Sequence, residues 1–269
     1  MKSRIDKLLV ERGLAPSRER AQALILAGKV LVNGQKIEKP GTDVESKAEL
    51  RLLGEGQKYV SRGGQKLERA LEHWKIDVRG RVCMDVGTST GGFTDCLLQH
   101  GAARVIAVDT GYGQIDLRLR TDSRVRLLER TNARHLKPEE VGEAVDFLAL
   151  DVSFISATLV LPAVIAGILK SSRARAALPE SRSNDGASRG GLQVVVLVKP
   201  QFEAGREAVG KGGIVRDAEA QAAAVEKVKK KLAELGFEEL EAIESPIVGR
   251  EGNRESLLHG KLSPESGTQ

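Results

Sequence analysis

The sequence predicts an α/β protein: a doubly wound, Rossmann-like sheet with helices on both faces, preceded by a small α+β module. Three observations carry this. From about residue 59 onward, buried-strand patterns alternate with helical ones, as the crossovers of a parallel sheet require. A glycine-rich turn, Asp85-Val86-Gly87-Thr88-Ser89-Thr90-Gly91-Gly92-Phe93-Thr94, joins one such strand to one such helix. The first 58 residues hold twelve Lys/Arg against eight Asp/Glu, an excess of four out of the net five of the 269-residue chain.

The N-terminal part reads as helix, turn, helix and short strands. Ile5, Leu8 and Leu9 recur at helical spacing before Gly13, a C-terminal stop. Ser17 can cap a second helix that buries Ala21, Leu24 and Ile25 and ends at Gly28. Val30–Val32 followed by Asn33-Gly34 is a strand with a hairpin signal. Gly54–Gln57 reads as a linker, so the module spans 1–58. Beyond it, strands are expected at Val82–Val86, Arg104–Asp109, Val125–Glu129, Val145–Val152, Val194–Val198 and Glu239–Glu244. Helices are expected at Gly63–His73, Phe93–His100, Ala157–Leu169 and Ala218–Leu235. Residues 171–191 hold five Ser, four Arg and three Gly and read as a flexible surface insertion. The second domain is placed at 59–262 and a C-terminal tail at 263–269.

Composition narrows the function. Hydrophobic residues at 41% and charged residues at 29% describe a globular chain. Aromatics at 3% argue against RNA readers that stack bases on an aromatic-studded sheet. The apolar run Leu159–Leu169 is broken by Pro162 and is far short of the roughly 18 residues a membrane span needs. Cys83 and Cys96 form no metal spacing and no disulfide framework, and the start lacks a secretory core, so a cytoplasmic protein is expected. His73, His100, His135 and His259 share no metal spacing. Lys227, Lys229, Lys230 and Lys231 read as a solvated helix face, and Ser61 and Ser153 lack a His/Asp partnership.

The glycine turn can bring backbone N–H groups at a helix start up to a ligand. A second strand ends in Asp109, placed to accept hydrogen bonds from ribose hydroxyls. The spacing is neither a phosphate loop nor GxGxxG, and suits a methionine-containing nucleoside cofactor better than ATP or NAD. A second constellation is spread out. Lys66 lies early in a helix within Tyr59-Val60-Ser61-Arg62-Gly63-Gly64-Gln65-Lys66-Leu67. Asp151, Lys199 and Glu244 each end a strand, at the sheet edge where open α/β folds bind ligands. Pro200 biases Lys199 to extended backbone.

With these segments the chain resembles the hemolysin A (TlyA) family of ribosomal RNA 2′-O-methyltransferases, whose catalytic domain is of the FtsJ type. The combination YVSRGGQKL, DVGTSTGGFTDCLL and VKPQFEAG is specific, and VIAVDTGYGQ, ERTNAR, LDVSFIS and KGGIVRD add to it. The N-terminal block resembles the S-four-type RNA-binding module. The resemblance implies S-adenosylmethionine as cofactor and a Lys-Asp-Lys-Glu catalytic set, which falls on Lys66, Asp151, Lys199 and Glu244. It implies a cofactor site of Asp85, Gly87, Thr88, Ser89, Gly91, Gly92 and Phe93, with the ribose at Asp109 and the adenine near Asn132 and Ala133. Glu244 lies in a looser match than the other three, with Glu239 and Glu241 nearby.

A ribose 2′-OH is a poor nucleophile, so such an enzyme must align oxygen, carbon and sulfur and remove a proton. Lys199 is the expected base, with Asp151 and Glu244 orienting the lysines. Arg4, Arg18, Arg20 and Lys29, which flank the two N-terminal helices, and Arg62 are the expected RNA contacts. The partner implied is ribosomal RNA or a ribosomal subunit, with a cytidine of the large subunit as the family-level target and no membrane. Two rival readings are a non-catalytic ribosome-assembly factor, disfavoured by intact Lys66, Asp151 and Lys199, and a pore-forming hemolysin, disfavoured by the lack of a membrane segment.

Overall fold

A computed structural model describes residues 2–53, 58–176, 191–249 and 252–263. The chain divides into two compact units, Met1–Lys58 and Tyr59–Gln269.

In the first unit, β1 (Lys2–Arg4) runs into α1 (Ile5–Glu11), and α2 (Arg18–Leu26) follows. Gly13 and Gly28 take positive φ just beyond the two helices, and the Ser17 hydroxyl accepts the Arg20 N–H at 3.3 Å. β2 (Val30–Val32) and β3 (Gln35–Ile37) form a hairpin. Asn33 (φ 49°) and Gly34 (φ 79°) are both left-handed there, as a type I′ turn demands. β4 (Asp43–Glu45) pairs with β1, and β5 (Leu50–Leu52) pairs with β2. Ile5, Leu9, Ala21, Ile25 and Val30 form the fully buried centre.

One carboxylate in this core is charged-paired. Asp6 is fully buried and accepts from Arg4 Nε and Nη2, Arg18 Nε and Gln22 Nε2 at 2.9–3.1 Å. The Arg4 hydrogen bond above all holds the Asp6 carboxyl far below the usual carboxylate range, against the opposing effect of burial. Arg4 and Arg18, expected to grip RNA, are therefore partly committed inside the unit, although both side chains stay nearly half exposed.

The second unit is built on one seven-stranded sheet. Its strands are β6 (Val82–Val86), β7 (Arg104–Val108), β8 (Val125–Leu128), β9 (Phe147–Leu150), β10 (Leu192–Val198), β11 (Glu238–Glu244) and β12 (Ser256–Leu262), in spatial order β11-β12-β10-β9-β6-β7-β8. Five strands, β6 to β10, are parallel; β12 is antiparallel to both β10 and β11. Helices α3 (Gly63–His73), α4 (Gly92–Gln99), α5 (Leu117–Arg120), α6 (Pro138–Val141), α7 (Ala157–Ala176), α8 (Pro200–Glu203) and α9 (Ala218–Glu234) complete it. One apolar cluster packs α7 and α9 on β6, β9 and β10; a second packs α3 and α4 on the opposite face. Among the described residues no helix is long and apolar enough to cross a membrane.

The sequence reading missed β12. Ser256-Leu257-Leu258-His259-Gly260-Lys261-Leu262 carries three polar residues and a glycine where a strand should be apolar. His259 is nevertheless buried, stacked on Trp74 at 5.0 Å between ring centres, with Nε2 3.3 Å from Gln193 Oε1. Burial pushes its pKa down to about 4, so it sits in the sheet as a neutral ring. The insertion expected over 171–191 is also corrected: Ser171–Ala176 continue α7, Gly191 leads into β10, and 177–190 lie outside the described residues. So do the linker Gly54–Gln57 and the tail beyond Ser263.

Asp6→Ala should loosen the first unit. Its depressed pKa means that the stabilisation is fully present above the usual carboxylate range and is lost as pH falls below that range to the folded-state pKa. Amide exchange in α1 and α2 at pH 7 should accelerate roughly 10- to 100-fold in Asp6→Ala. Wild-type protection there would show that the cluster contributes nothing.

Candidate active site

The carboxyl ends of β6, β7, β9 and β10 share one edge of the sheet, and the candidate residues gather along it. Gly87 leaves β6 with φ +90°. A Cβ there would lie 2.3 Å from the carbonyl oxygen of Asp151, so only glycine fits against the end of β9. Gly91 (φ +96°) precedes α4, and a Cβ on Gly92 would lie 2.2 Å from Ser61 Oγ and 3.0 Å from Gly64 N. Gly64 in turn has no room because of the buried Tyr59 ring. These absent side chains let the Ser61–Gly64 segment press onto the glycine turn and bring α3, with Lys66, beside it.

Asp85 closes the floor of the turn. It is fully buried, and its Oδ2 accepts from Thr94 N at 3.0 Å and Thr94 Oγ1 at 2.6 Å. Its Oδ1 is buried without a protein partner. Burial raises its pKa to about 7, helped by the nearby charges of Asp151 and Asp109 and opposed by Thr94. At the end of β7, Asp109 is oriented by two backbone donors, Ser89 N to Oδ2 at 2.7 Å and Gly111 N to Oδ1 at 2.6 Å. Ser89 is exposed and left-handed (φ 51°) at the turn's tip. Thr88 turns inward, its hydroxyl on the carbonyl of Asp85. Phe93 is also inward, in the core with α3, so of this expected cofactor contact only the backbone is available. Beyond β8, Asn132 caps a 3-10 turn at Ala133–His135 by accepting from Arg134 N, and Ala133 is buried.

An orphaned buried carboxylate oxygen, a glycine cradle and the oriented Asp109 fit a nucleoside carrying cationic groups, the chemistry of S-adenosylmethionine. Asp85 and the turn from Gly87 to Gly92 would hold its charged end, and Asp109 its ribose.

Two lysine–carboxylate pairs stand beside this cradle. Lys199 follows β10 with extended backbone (φ −111°, ψ 105°) before Pro200. Its ammonium lies 2.6 Å from Asp151 Oδ1 and donates to Ser153 Oγ at 2.7 Å. Lys66 is buried on α3 and pairs with Glu255, itself 3% exposed.

The structure sets Glu255, and not the expected Glu244, against Lys66. Glu244 ends β11, the outermost strand, with its side chain 68% exposed and 3.9 Å from Arg254. The unforeseen β12 lies between β11 and β10, and its register sets Ser256 opposite Val198 on one side and Glu244 on the other. Glu255, one residue before Ser256, is therefore beside Lys199's strand, while Glu244 is one strand too far out. A buried acid next to a strand start was the missing signal, and it was invisible because that strand was not recognised.

Other features were also missed. Phe154, in the loop after Asp151, is 90% exposed with φ +64° and packs against Phe202 with the rings tilted at 49° and their centres 5.4 Å apart. Tyr112, 65% exposed in the loop after Asp109, lies under the Arg130 guanidinium at 4.3 Å. Of the expected RNA contacts, Arg20, Lys29 and Arg62 are exposed. Among the described residues no cluster of His, Cys, Asp and Glu could hold a metal.

Comparison with known proteins agrees with this geometry. Residues 59–262 match the FtsJ-like methyltransferase family and residues 3–50 match the S4 domain. The chain is 44% identical over 258 residues to the 16S/23S rRNA (cytidine-2′-O)-methyltransferase TlyA of Mycobacterium tuberculosis, covering 96% of this chain and 89% of that one. It is 33% identical to the 23S rRNA (cytidine-2′-O)-methyltransferase TlyA of Campylobacter jejuni, over 93% and 96% of the two chains. A solved structure from Streptococcus thermophilus that carries the name hemolysin superposes with a TM-score of 0.68 at 41% identity, over 98% of this chain and 89% of that one.

The raised pKa of Asp85 has a measurable consequence. A folded-state pKa of about 7 against an ordinary 3.8 means the buried carboxyl costs stability as pH rises from 3.8 through about 7, after which the loss is complete. Asp85→Asn keeps a hydrogen-bonding side chain without the charge. Its melting temperature relative to wild type should be higher at pH 8 than at pH 5, while S-adenosylmethionine binds more weakly by calorimetry. A pH-independent difference in melting would mean that Asp85 is not held protonated by the fold.

Proposed function

Since the chain belongs to the FtsJ-like methyltransferase family, we propose that it transfers a methyl group from S-adenosylmethionine to the ribose 2′-OH of a cytidine in ribosomal RNA. The observation that carries this is the pairing of Lys199 with Asp151, 2.6 Å apart, at the end of the strand next to the one bearing the glycine cradle. The reading is further supported by relatives whose names specify this reaction. They include both a 16S/23S and a 23S enzyme, so the target belongs to one or both subunits.

The chain's own groups divide the work. S-adenosylmethionine supplies an electrophilic methyl group when bound. The cradle and Asp109 fix the donor, so the rest of the site needs only to bring one hydroxyl into line. Lys199 Nζ would take the proton of that hydroxyl; Asp151 and Ser153 hold Nζ in place. Lys66, tied to Glu255, is a second lysine held in place beside the cradle. Phe154 offers an exposed ring on which the target base can stack. In the first unit the exposed Arg20 and Lys29, with the exposed portions of Arg4 and Arg18, contact phosphates, as does Arg62 in the second.

Lys199→Ala should bind S-adenosylmethionine normally and lose roughly 10²–10⁴-fold in single-turnover rate. Lys199→Arg should not recover it, because a guanidinium stays protonated. A near-normal rate for Lys199→Arg would make Lys199 a fixed cation and not a base. In the same assay Glu255→Ala should be severely impaired and Glu244→Ala nearly normal; the reverse order would restore Glu244 to the site. Mapping 2′-O-methyl groups in both ribosomal RNAs with and without the gene identifies the target, and no change in either overturns the assignment.

RNA held by basic residues should weaken steeply with salt. Each phosphate contact removed from the first unit should lower the log–log slope by about 0.7–0.9. Filter binding of the Arg20→Ala/Lys29→Ala double variant reads this directly, and an unchanged slope would place RNA recognition in the second unit.

A further inference from the structure

The two loops that carry Asp151 and Lys199 are joined a second time, by a buried carboxylate outside the reacting pairs. Glu203 is the last residue of α8, the single turn that Lys199 caps. It is 6% exposed. Its Oε1 accepts the N–H of Ala157, the first residue of α7, at 2.6 Å, and its Oε2 accepts the Ser156 hydroxyl. Ser156 ends the segment that starts at Asp151, and its Oγ also meets Thr158 Oγ1 at 2.7 Å. From α9, the Lys227 ammonium donates to the Glu203 carbonyl at 2.8 Å and lies 3.4 Å from its carboxylate. Lys227 is thus not merely part of a solvated lysine face. The Phe154–Phe202 contact spans the same two loops on the solvent side.

We infer that Glu203 is a positioning residue for methyl transfer, a clamp that locks the Asp151 loop to the Lys199 turn and so sets the geometry of the Lys199–Asp151 pair. The argument is one of lever arms. Between β10 and Glu203 there are only Lys199 and three residues of one helical turn, too short to hold its own orientation. The Lys199 carbonyl accepts the Phe202 N–H at 3.0 Å, so the turn moves as a unit with Lys199. A buried carboxylate satisfied by two donors from the opposite loop and a cation from α9 gives that unit one resting position. Losing it lets the turn pivot, and a displacement of about 1 Å at a reacting group can cost on the order of 10²-fold in rate.

This inference rests on the proposed methyl transfer, and the test separates the two. In full-length protein, Glu203→Ala should fall roughly 10- to 100-fold in single-turnover rate at saturating S-adenosylmethionine and RNA, with both dissociation constants within threefold of wild type. Glu203→Gln should recover most of the rate, because its amide oxygen accepts from Ala157 N while its NH₂ donates to Ser156 Oγ, whose own proton turns to Thr158. If Glu203→Ala does not fold, Ser156→Ala removes half of the clamp from the other loop and should cost roughly 3- to 10-fold. In a Lys199→Ala background the loss from either alanine should shrink below threefold, since both act through Lys199. Full additivity in that background, or an unchanged rate in Glu203→Ala and Ser156→Ala, overturns the clamp. An inactive wild type would instead overturn the methyl-transfer reading.

Discussion

The site depends on a contact that leaves no room for a side chain. At Gly87 the end of β6 lies so close to the end of β9 that a Cβ would sit 2.3 Å from the Asp151 carbonyl oxygen. The two strands are parallel neighbours with Val86 level with Leu150, so Gly87 and Asp151 leave the sheet side by side. Asp151 reaches across to Lys199 at the end of the next parallel strand. Three adjacent strand ends therefore put a cofactor cradle, an acid and a lysine in one row. A larger residue at position 87 would push the first away from the other two.

The charges in that row are held by different means. Lys66 and Glu255 are both nearly buried, an arrangement whose desolvation cost is repaid only while both partners are present. Their value is fixed position: with Lys66 on α3 and Glu255 before β12, the pair ties a helix to the antiparallel strand beside β10. Lys199 and Asp151 are more open, at 12% and 22% side-chain exposure. That access suits a lysine that must meet a substrate and exchange a proton with it.

Much of this was legible in the sequence, for stated reasons. Four of the five parallel strands, β6, β7, β9 and β10, are largely apolar because both of their faces are covered, and the glycine turn follows from the close approach at positions 87, 91 and 92. The positions of Lys66, Asp109, Asp151 and Lys199 near this edge were readable because each sits in or next to a motif of that kind. Glu255 could not, because β12 is masked by His259 and Lys261. Burial of His259 under Trp74 is a tertiary fact that alternation along one strand does not report. The same blindness promoted Glu244, a real strand end on the right sheet edge but separated from β10 by the unseen strand. The N-terminal helices and their Asn33-Gly34 hairpin were local and therefore readable. The use of Arg4 and Arg18 to neutralise Asp6 was not, since only folding brings Arg18 and Gln22 to a carboxylate twelve and sixteen residues earlier.

The negative side of the site has its own logic. Asp85, Asp109 and Asp151 lie close enough that the last two both push the pKa of the first upward. Their mutual repulsion is a standing cost of the folded protein, and Asp85 lessens it by holding a proton near neutral pH. A ligand that brings positive charge relieves the same repulsion, so the site gains affinity for cations in proportion to the charge they carry. The methyl donor bears a sulfonium that the demethylated product lacks. Asp151 is already paired with Lys199 at 2.6 Å, so an incoming cation would answer chiefly to Asp109, which two backbone N–H groups hold in place, and to the unpartnered Oδ1 of Asp85.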